Sequence, residues 1–405
     1  MIRRPRISSS IAAAAAIAVL VAASCGGSSS STKASSSTLV ATDEAASAGI
    51  STASLTHGED CVADFDGDHV LDVLLSTHNS TWPLMRGLPD GKFVPYYNGL
   101  DPLHADRHGC AVADFNGDGL LDIYIAIGAC RGTCRTQKEL WIQQPNHTFI
   151  NEATKWGINI QDDRGRAPVV LNANGDKLPD LFVGAEKGVK YASYSRLWIN
   201  KGDHFVLQKG PVTNEIGNLC SAAADIDGDG IDELAVCTPA NGFYIYKANA
   251  QGIYEVATKS FGVASYGRRT VKFVDINGDG RPDLATVTKT QVQLYLNVGG
   301  KYTSKPVFSQ KVPDGIDVAF GDVDGDGDLD MYVQNGGKFP GQIFLNEGGG
   351  TKWQSSLTLA KPAKGSGDTV VPIPDYKGSH RAAFIVNNGY ENTVGTRQLW
   401  VFSGK

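Results

Sequence analysis

After residue 24 the chain alternates short apolar runs with short, glycine-rich polar turns, and no long apolar run occurs. Cys61-Val62-Ala63, Ala111-Val112-Ala113, Val169-Val170-Leu171 and Lys272-Phe273-Val274 each lead into a polar segment of nine residues. Val73-Leu74-Leu75, Ile123-Tyr124-Ile125, Leu181-Phe182-Val183 and Met331-Tyr332-Val333 each follow one. Short β-branched and aromatic runs bounded by Gly, Asp and Asn predict strands, and run–turn–run predicts a hairpin. A third run returns as LWIQ (140–143), LWIN (197–200), LYLN (294–297), IFLN (343–346) and LWVF (399–402), and a fourth opens TFINEATKWGI (148–158) and IYEVATKSFGV (253–263). Four strands in about fifty residues, repeated along the chain, make the blade of a β-propeller.

The polar segments share one template, Asp-x-[Asp/Asn]-Gly-Asp-x-x-x-[Asp/Glu]. Copies start at Asp64, Asp114, Asn172, Asp225, Asp275 and Asp322, and a seventh, DYKGSHRAA (375–383), keeps Asp375 and Gly378 but has lost the other carboxylates. Seven units predict an all-β, seven-bladed propeller of four-stranded antiparallel blades over residues 38–405. The last unit lacks a fourth run, whereas LVATDEAASAGI (39–50) resembles one, and Gly49, Gly99 and Gly157 hold the same offset from the next loop. The N-terminal segment is therefore expected to complete the last blade, which removes the free sheet edges of an open ring.

Carboxylates at positions 1, 3, 5 and 9 of a tight turn converge, and a Gly at position 4 permits the turn. The predicted ligands are Asp64, Asp66, Asp68 and Asp72; Asp114, Asn116, Asp118 and Asp122; Asn172, Asn174, Asp176 and Asp180; Asp225, Asp227, Asp229 and Glu233; Asp275, Asn277, Asp279 and Asp283; and Asp322, Asp324, Asp326 and Asp330. An all-oxygen set of this size suits Ca²⁺, up to six ions, rather than Zn²⁺. Without a cation, so many carboxylates in nine residues repel one another. An EF-hand needs Glu at position 12 and flanking helices, but position 12 is Leu75, Ile125, Val183, Val236, Thr286 or Val333.

These loops and the LWIN-type runs resemble the FG-GAP/VCBS repeats of integrin α-chain propellers and of many bacterial exported proteins. The resemblance implies a propeller with calcium on one face and ligands on the other. Just before the first strands, on that other face, stand His57, Arg107, His108, Arg166, Asn218, Arg268 and Arg269. A ring with several arginines suits an anionic ligand such as a uronate or sulfated glycan. Ordinary polar strand starts are the plainer account of the same residues. No G-x-S-x-G elbow, H-E-x-x-H helix or phosphate loop occurs, so catalysis has little support. A His–Arg–Tyr set like that of propeller polysaccharide lyases, drawn from His57, His108, Arg166 and Tyr266, is not demanded by any spacing. A binding or adhesion module for a glycan or surface protein is the leading expectation. A glycan-degrading enzyme and an envelope scaffold are the alternatives.

The formal charge of −6 is largely loop carboxylate, which argues against nucleic acid as a partner. The start of the chain adds an address. Arg3, Arg4 and Arg6 precede an apolar stretch, 11–23, too short to span a bilayer, and Ala22-Ala23-Ser24-Cys25 follows. This is expected to be a secretory signal over 1–24 whose ending resembles a bacterial lipobox. The resemblance implies lipid on Cys25 and a membrane contact only through that anchor. Residues 26–37, rich in Gly and Ser, form a flexible tether. Of seven cysteines, six then remain for an oxidising compartment. Cys220 and Cys237 face each other across one predicted hairpin, and Cys130 and Cys134 enclose three residues, which leaves Cys61 and Cys110. Buried free thiols are the alternative for each pair.

Overall fold

The computed structural model describes residues 38–404 apart from 55–57, 78–82, 97–98, 101–105, 129–135, 162, 188–189, 191–192, 215–219, 239–241, 265–268, 337–338, 366 and 390–393. The leader, Cys25, His57, Cys130, Cys134, Asn218, Tyr266 and Arg268 lie outside the described residues. The described strands form seven antiparallel sheets, six of four strands in sequence order and a seventh in which three C-terminal strands are joined by strands of the N-terminal segment. Blade 1 opens with Cys61–Ala63, blade 2 with Arg107–Ala113, blade 3 with Gly165–Leu171 and blade 4 with Cys220–Ala224. Blades 5, 6 and 7 open with Thr270–Val274, Gly315–Gly321 and Val370–Ile373. Each of these first strands touches the next, and that of blade 7 touches that of blade 1, so the ring is closed.

Alternation along each strand turns both sheet faces toward neighbouring blades, so the core is divided. Seven apolar clusters each join residues of two adjacent blades. Between blades 2 and 3, for example, Phe115, Leu140 and Trp156 meet Leu181, Trp198 and Phe205. Phe205 packs edge-on against Phe115 with ring centroids 5.6 Å apart.

The N-terminal segment closes the ring as its pattern predicts. Val40–Asp43 pairs antiparallel with the last strand, Gly395–Ser403, from Val40 opposite Ser403 to Asp43 opposite Trp400. Ala53–Ser54 adds a short pairing to the same strand. A buried polar knot ties blade 7 to blade 1. The Arg397 guanidinium donates to Asn387 Oδ1 and to the Ser76 carbonyl, while Asp60 accepts from Ser76 N–H (2.6 Å) and the Asn387 amide (2.9 Å).

The fourth apolar runs divide in two. Only Phe149–Asn151 and Tyr254–Val256 are strands; the residues that follow make a tight turn ending in Gly157 and Gly262, both at positive φ. The turn docks on the next blade's outer edge. Phe205 N–H donates to Trp156 O at 2.9 Å, Tyr302 N–H to Phe261 O at 2.9 Å, and Phe93 N–H to Ala48 O at 2.7 Å. A Cβ on Gly262 would stand 2.8 Å from the Tyr302 carbonyl oxygen, so close backbone approach as well as φ requires glycine there. Gly49 does the same for the N-terminal segment, which is why 39–50 reads like a fourth run.

Disulfides join Cys61 to Cys110, between the first strands of blades 1 and 2, and Cys220 to Cys237, opposite residues within blade 4. Both pairings match the sequence reading.

Candidate functional site

The aspartate loops connect the first and second strands of blades 1 to 6 and share one frame. The position-1 side chain accepts N–H groups from positions 4 to 6, all three of them in blades 1, 2 and 4. Asp114, for instance, takes Gly117 at 2.7 Å, Asp118 at 3.1 Å and Gly119 at 2.8 Å. Position 5 accepts from position 7, as Leu120 N–H to Asp118 at 2.9 Å. The glycine at position 4 is at positive φ, 75° at Gly117, and a Cβ there would touch nothing; conformation alone selects it.

Position 9 lies beneath the loop. Asp72, Asp122, Asp180, Asp283 and Asp330 are completely buried and Glu233 nearly so. One carboxylate oxygen accepts the N–H of position 2, as Phe115 to Asp122 at 2.9 Å. In blades 1, 2, 3, 5 and 6 the other oxygen accepts the N–H at the end of the third strand, from Gly87, Gln143, Asn200, Asn297 and Asn346. Burial raises Asp122, Asp180, Asp283 and Asp330 to about 7 and Asp72 to about 6, against the N–H groups that hold the ionised form. An ionised carboxylate in such a place favours a cation above it.

The third-strand end explains the Asn of the LWIN-type runs. Beyond its N–H, the side-chain amide reaches the preceding blade and donates to the position-2 carbonyl of that blade's loop. Gln143 reaches Phe65 (2.6 Å), Asn200 reaches Phe115 (2.8 Å), Asn297 reaches Ile226 (2.8 Å) and Asn346 reaches Ile276 (3.1 Å). Arg381 performs this for Val323 at 3.1 Å; in blade 4 the Tyr254 hydroxyl donates to the Asp232 carbonyl at 2.7 Å and lies 3.5 Å from the Ala173 carbonyl. The loops are thus fastened to one another across the blades.

The donors fit a hard cation: they are all oxygen, and single carboxylate oxygens of Asp322, Asp324 and Asp330 lie within 4.8 Å of one another; those of Asp64, Asp66 and Asp72 and those of Asp225, Asp227 and Asp229 converge equally, but with a basic side chain against them. Asn116, Asn174 and Asn277 stand at position 3 and accept the N–H of Asp118, Asp176 and Asp279. Asn172, alone at position 1 without a charge, spends its amide on the Gly230 carbonyl and its backbone N–H on Asp232. The seventh loop keeps one bond of the frame, His380 N–H on Asp375 Oδ1 at 2.7 Å, but turns through Asp375 and Lys377 at positive φ and presents Lys377, Ser379 and Ala383 where carboxylates stand elsewhere.

In two loops a basic side chain from the third strand, missed by the sequence reading, lies across the acids; in blade 5 the loop's own Arg281 reaches Asp279 alone, at 3.1 Å. In blade 4, Lys247 Nζ lies 2.8 Å from Asp227, 2.6 Å from Asp229 and 2.9 Å from Glu233. In blade 1, Arg86 lies 2.5 Å from Asp66 and 2.8 Å from Asp68.

At the opposite end of the first strands, the described basic residues are committed to acids. Arg107 is buried and forks onto Glu139, which also accepts from the Trp141 indole. His108 is buried against Asp106 at 2.5 Å. Arg166, with Arg164, shares Glu186 at 2.8 Å; burial lowers its pKa to about 10 while Glu186 opposes the fall. Arg269 pairs with Asp314 at 2.9 Å. Among the described residues of that end, Arg107, Arg166 and Arg269 each have an acidic partner. Glu59, at the entry to blade 1, pairs with Lys272 on the first strand of blade 5, a contact that crosses the ring. Between blades 2 and 3 a small cleft is lined by Tyr124, Lys138, Asp163, Tyr194, Arg196 and Trp198.

Comparison with known proteins agrees with this architecture. The FG-GAP-like repeat family model matches residues 64–125, 172–236, 225–286 and 275–333, more than half of the chain. The chain belongs to the FG-GAP-like repeat family. It is 26% identical to integrin alpha-4 of Xenopus laevis over 142 residues, 30% of this chain and 14% of that protein's length. Among solved structures, an Agrocybe aegerita lectin that recognises non-reducing terminal N-acetylglucosamine superposes with a TM-score of 0.52 at 18% identity, over 74% of this chain and 80% of the lectin. BBS1N, solved in complex with ARL6DN, superposes with a TM-score of 0.50 at 12% identity, over 87% and 94%. These two likenesses concern the fold. No described helix is long and apolar enough to cross a membrane.

Proposed function

We propose that this chain is an exported, calcium-stabilised binding propeller, held to a membrane by lipid on Cys25 and the Gly/Ser tether, whose partner is a glycan or a surface protein met on the face away from the aspartate loops. The observation that carries the calcium reading is the shared loop frame, in which position-1 and position-5 carboxylates are shaped by backbone N–H groups above a buried position-9 carboxylate. When bound, calcium supplies positive charge to carboxylates that otherwise repel one another. The binding reading rests on the fold, which in its likenesses carries recognition in a lectin, and on the cleft between blades 2 and 3, where half-exposed Tyr194 stands beside the Arg196–Asp163 ion pair. An aromatic face next to paired charges suits a sugar ring and its hydroxyls. The paired state of Arg107, Arg166 and Arg269 moves the expectation from strongly anionic glycans toward neutral ones or a protein.

The mature chain should be melted in millimolar calcium and in EDTA, then applied to a glycan array with wild type and Tyr194→Ala in parallel. Calcium is expected to raise the melting temperature by several degrees, and Tyr194→Ala to weaken any array signal. Identical melting curves overturn the calcium reading. Cleavage of an arrayed oligosaccharide overturns the reading as a binding module.

A further inference from the structure

The register aligns the third strands of the six loop-bearing blades residue by residue. Met85 faces Val73, Trp141 faces Ile123, Trp198 faces Leu181, Tyr246 faces Leu234, Tyr295 faces Leu284 and Phe344 faces Met331. The next residue is Ile142, Ile199, Leu296 and Leu345 in blades 2, 3, 5 and 6, but Arg86 in blade 1 and Lys247 in blade 4. From that one position both basic side chains reach their own blade's loop. Lys247 places three N–H donors on positions 3, 5 and 9 of its loop, and Arg86 spans positions 3 and 5. In blade 4 the ammonium also replaces a backbone partner: Glu233 Oε1 accepts Lys247 Nζ, where the other position-9 carboxylates accept the third-strand N–H. The ammonium is tied covalently to the site, so its local concentration at the carboxylates does not depend on the calcium outside.

We propose that in blades 1 and 4 the side chains of Arg86 and Lys247 are built-in counterions that hold the cation seat, so that the protein takes calcium at the loops of blades 2, 3, 5 and 6 only. This rests on the calcium reading above and narrows it from six ions to four.

Bound calcium is counted by native mass spectrometry and equilibrium dialysis on the mature full-length chain. Wild type is expected to hold four ions. Lys247→Leu and Arg86→Leu, which install the side chain found in the other blades, should each add one ion, and in EDTA each should melt below wild type. Leu296→Lys in blade 5 should remove one ion, and Lys247→Arg should leave the count at four. Six ions on wild type, or unchanged counts in folded Lys247→Leu and Leu296→Lys, overturn this inference while leaving the calcium reading intact. No calcium on wild type or on any variant overturns both. Because Leu296→Lys adds a counterion rather than removing one, the inference stays open to refutation even if Lys247→Leu fails to fold.

Discussion

Asn200 tests whether the loops are fastened across the blades by single side chains. It is completely buried at the end of the third strand of blade 3. Its amide donates to the Phe115 carbonyl of blade 2 at 2.8 Å and to the Pro179 carbonyl at 3.1 Å, and its Oδ1 accepts Gly202 N–H at 2.7 Å. Asn200→Ala keeps the backbone N–H on Asp180 and removes all three side-chain bonds. A buried polar group left without its partner costs about 1–3 kcal/mol. Three such groups do not add in full, so a loss of about 3 kcal/mol is expected. Asn200→Asp is the sharper variant. It retains the acceptor for Gly202 but turns a carboxylate oxygen toward two carbonyl oxygens, so at neutral pH it should destabilise at least as much as alanine. Guanidinium unfolding in the presence of calcium, extrapolated to water, reads both. A loss below about 0.5 kcal/mol for alanine, or a tolerated aspartate, would refute the account of the Asn in the LWIN-type runs.

Further outcomes follow from the staples and the buried charges. Replacing Cys61 and Cys110 by Ser opens a bridge spanning 49 residues and should cost about 4 kcal/mol, against about 3 kcal/mol for Cys220 and Cys237 with a span of 17, by loop-closure entropy; chemical denaturation should rank them in that order. Asp317 is buried and accepts from Val318 and Val370 N–H groups. Burial raises it above the ordinary carboxylate range, with Lys272 opposing, to about 6. A folded pKa above the unfolded one means that the folded state holds the proton more tightly, so stability falls as pH rises from about 4 through 6. Asp317→Asn should flatten that slope, and an unchanged difference curve between pH 4 and 6 would count against it.

The ring, its closure and the loops were legible because they depend on local rules: alternation, a glycine at positive φ, and clustered carboxylates. Third strands were recognisable by an apolar run with an aliphatic third residue, closed by Asn or Gln in blades 2, 3, 5 and 6. Blades 1 and 4, with Leu84–Gly87 and Gly242–Ala248, escaped that pattern because Arg86 and Lys247 interrupt it and no terminal amide follows. The departure from the motif was itself the signal. The ligand face was less legible. Arg107, Arg166 and Arg269 find their partners in Glu139, Glu186 and Asp314, residues 20 to 45 positions away, and only the blade register brings them together. A list of basic strand starts carries no information about acids on another strand.

The closing strand has a consequence in time. Val40–Asp43 is synthesised before any blade exists, yet its partner, Gly395–Ser403, arrives last. Until then the first-made segment has no sheet to join, and blade 7 presents an open edge. Contacts of such separation in sequence are slow to form, and a chain waiting with unpaired strands is prone to pair with another copy of itself. The same four-residue pairing that seals the finished ring thus sets the interval during which each chain is exposed to its neighbours.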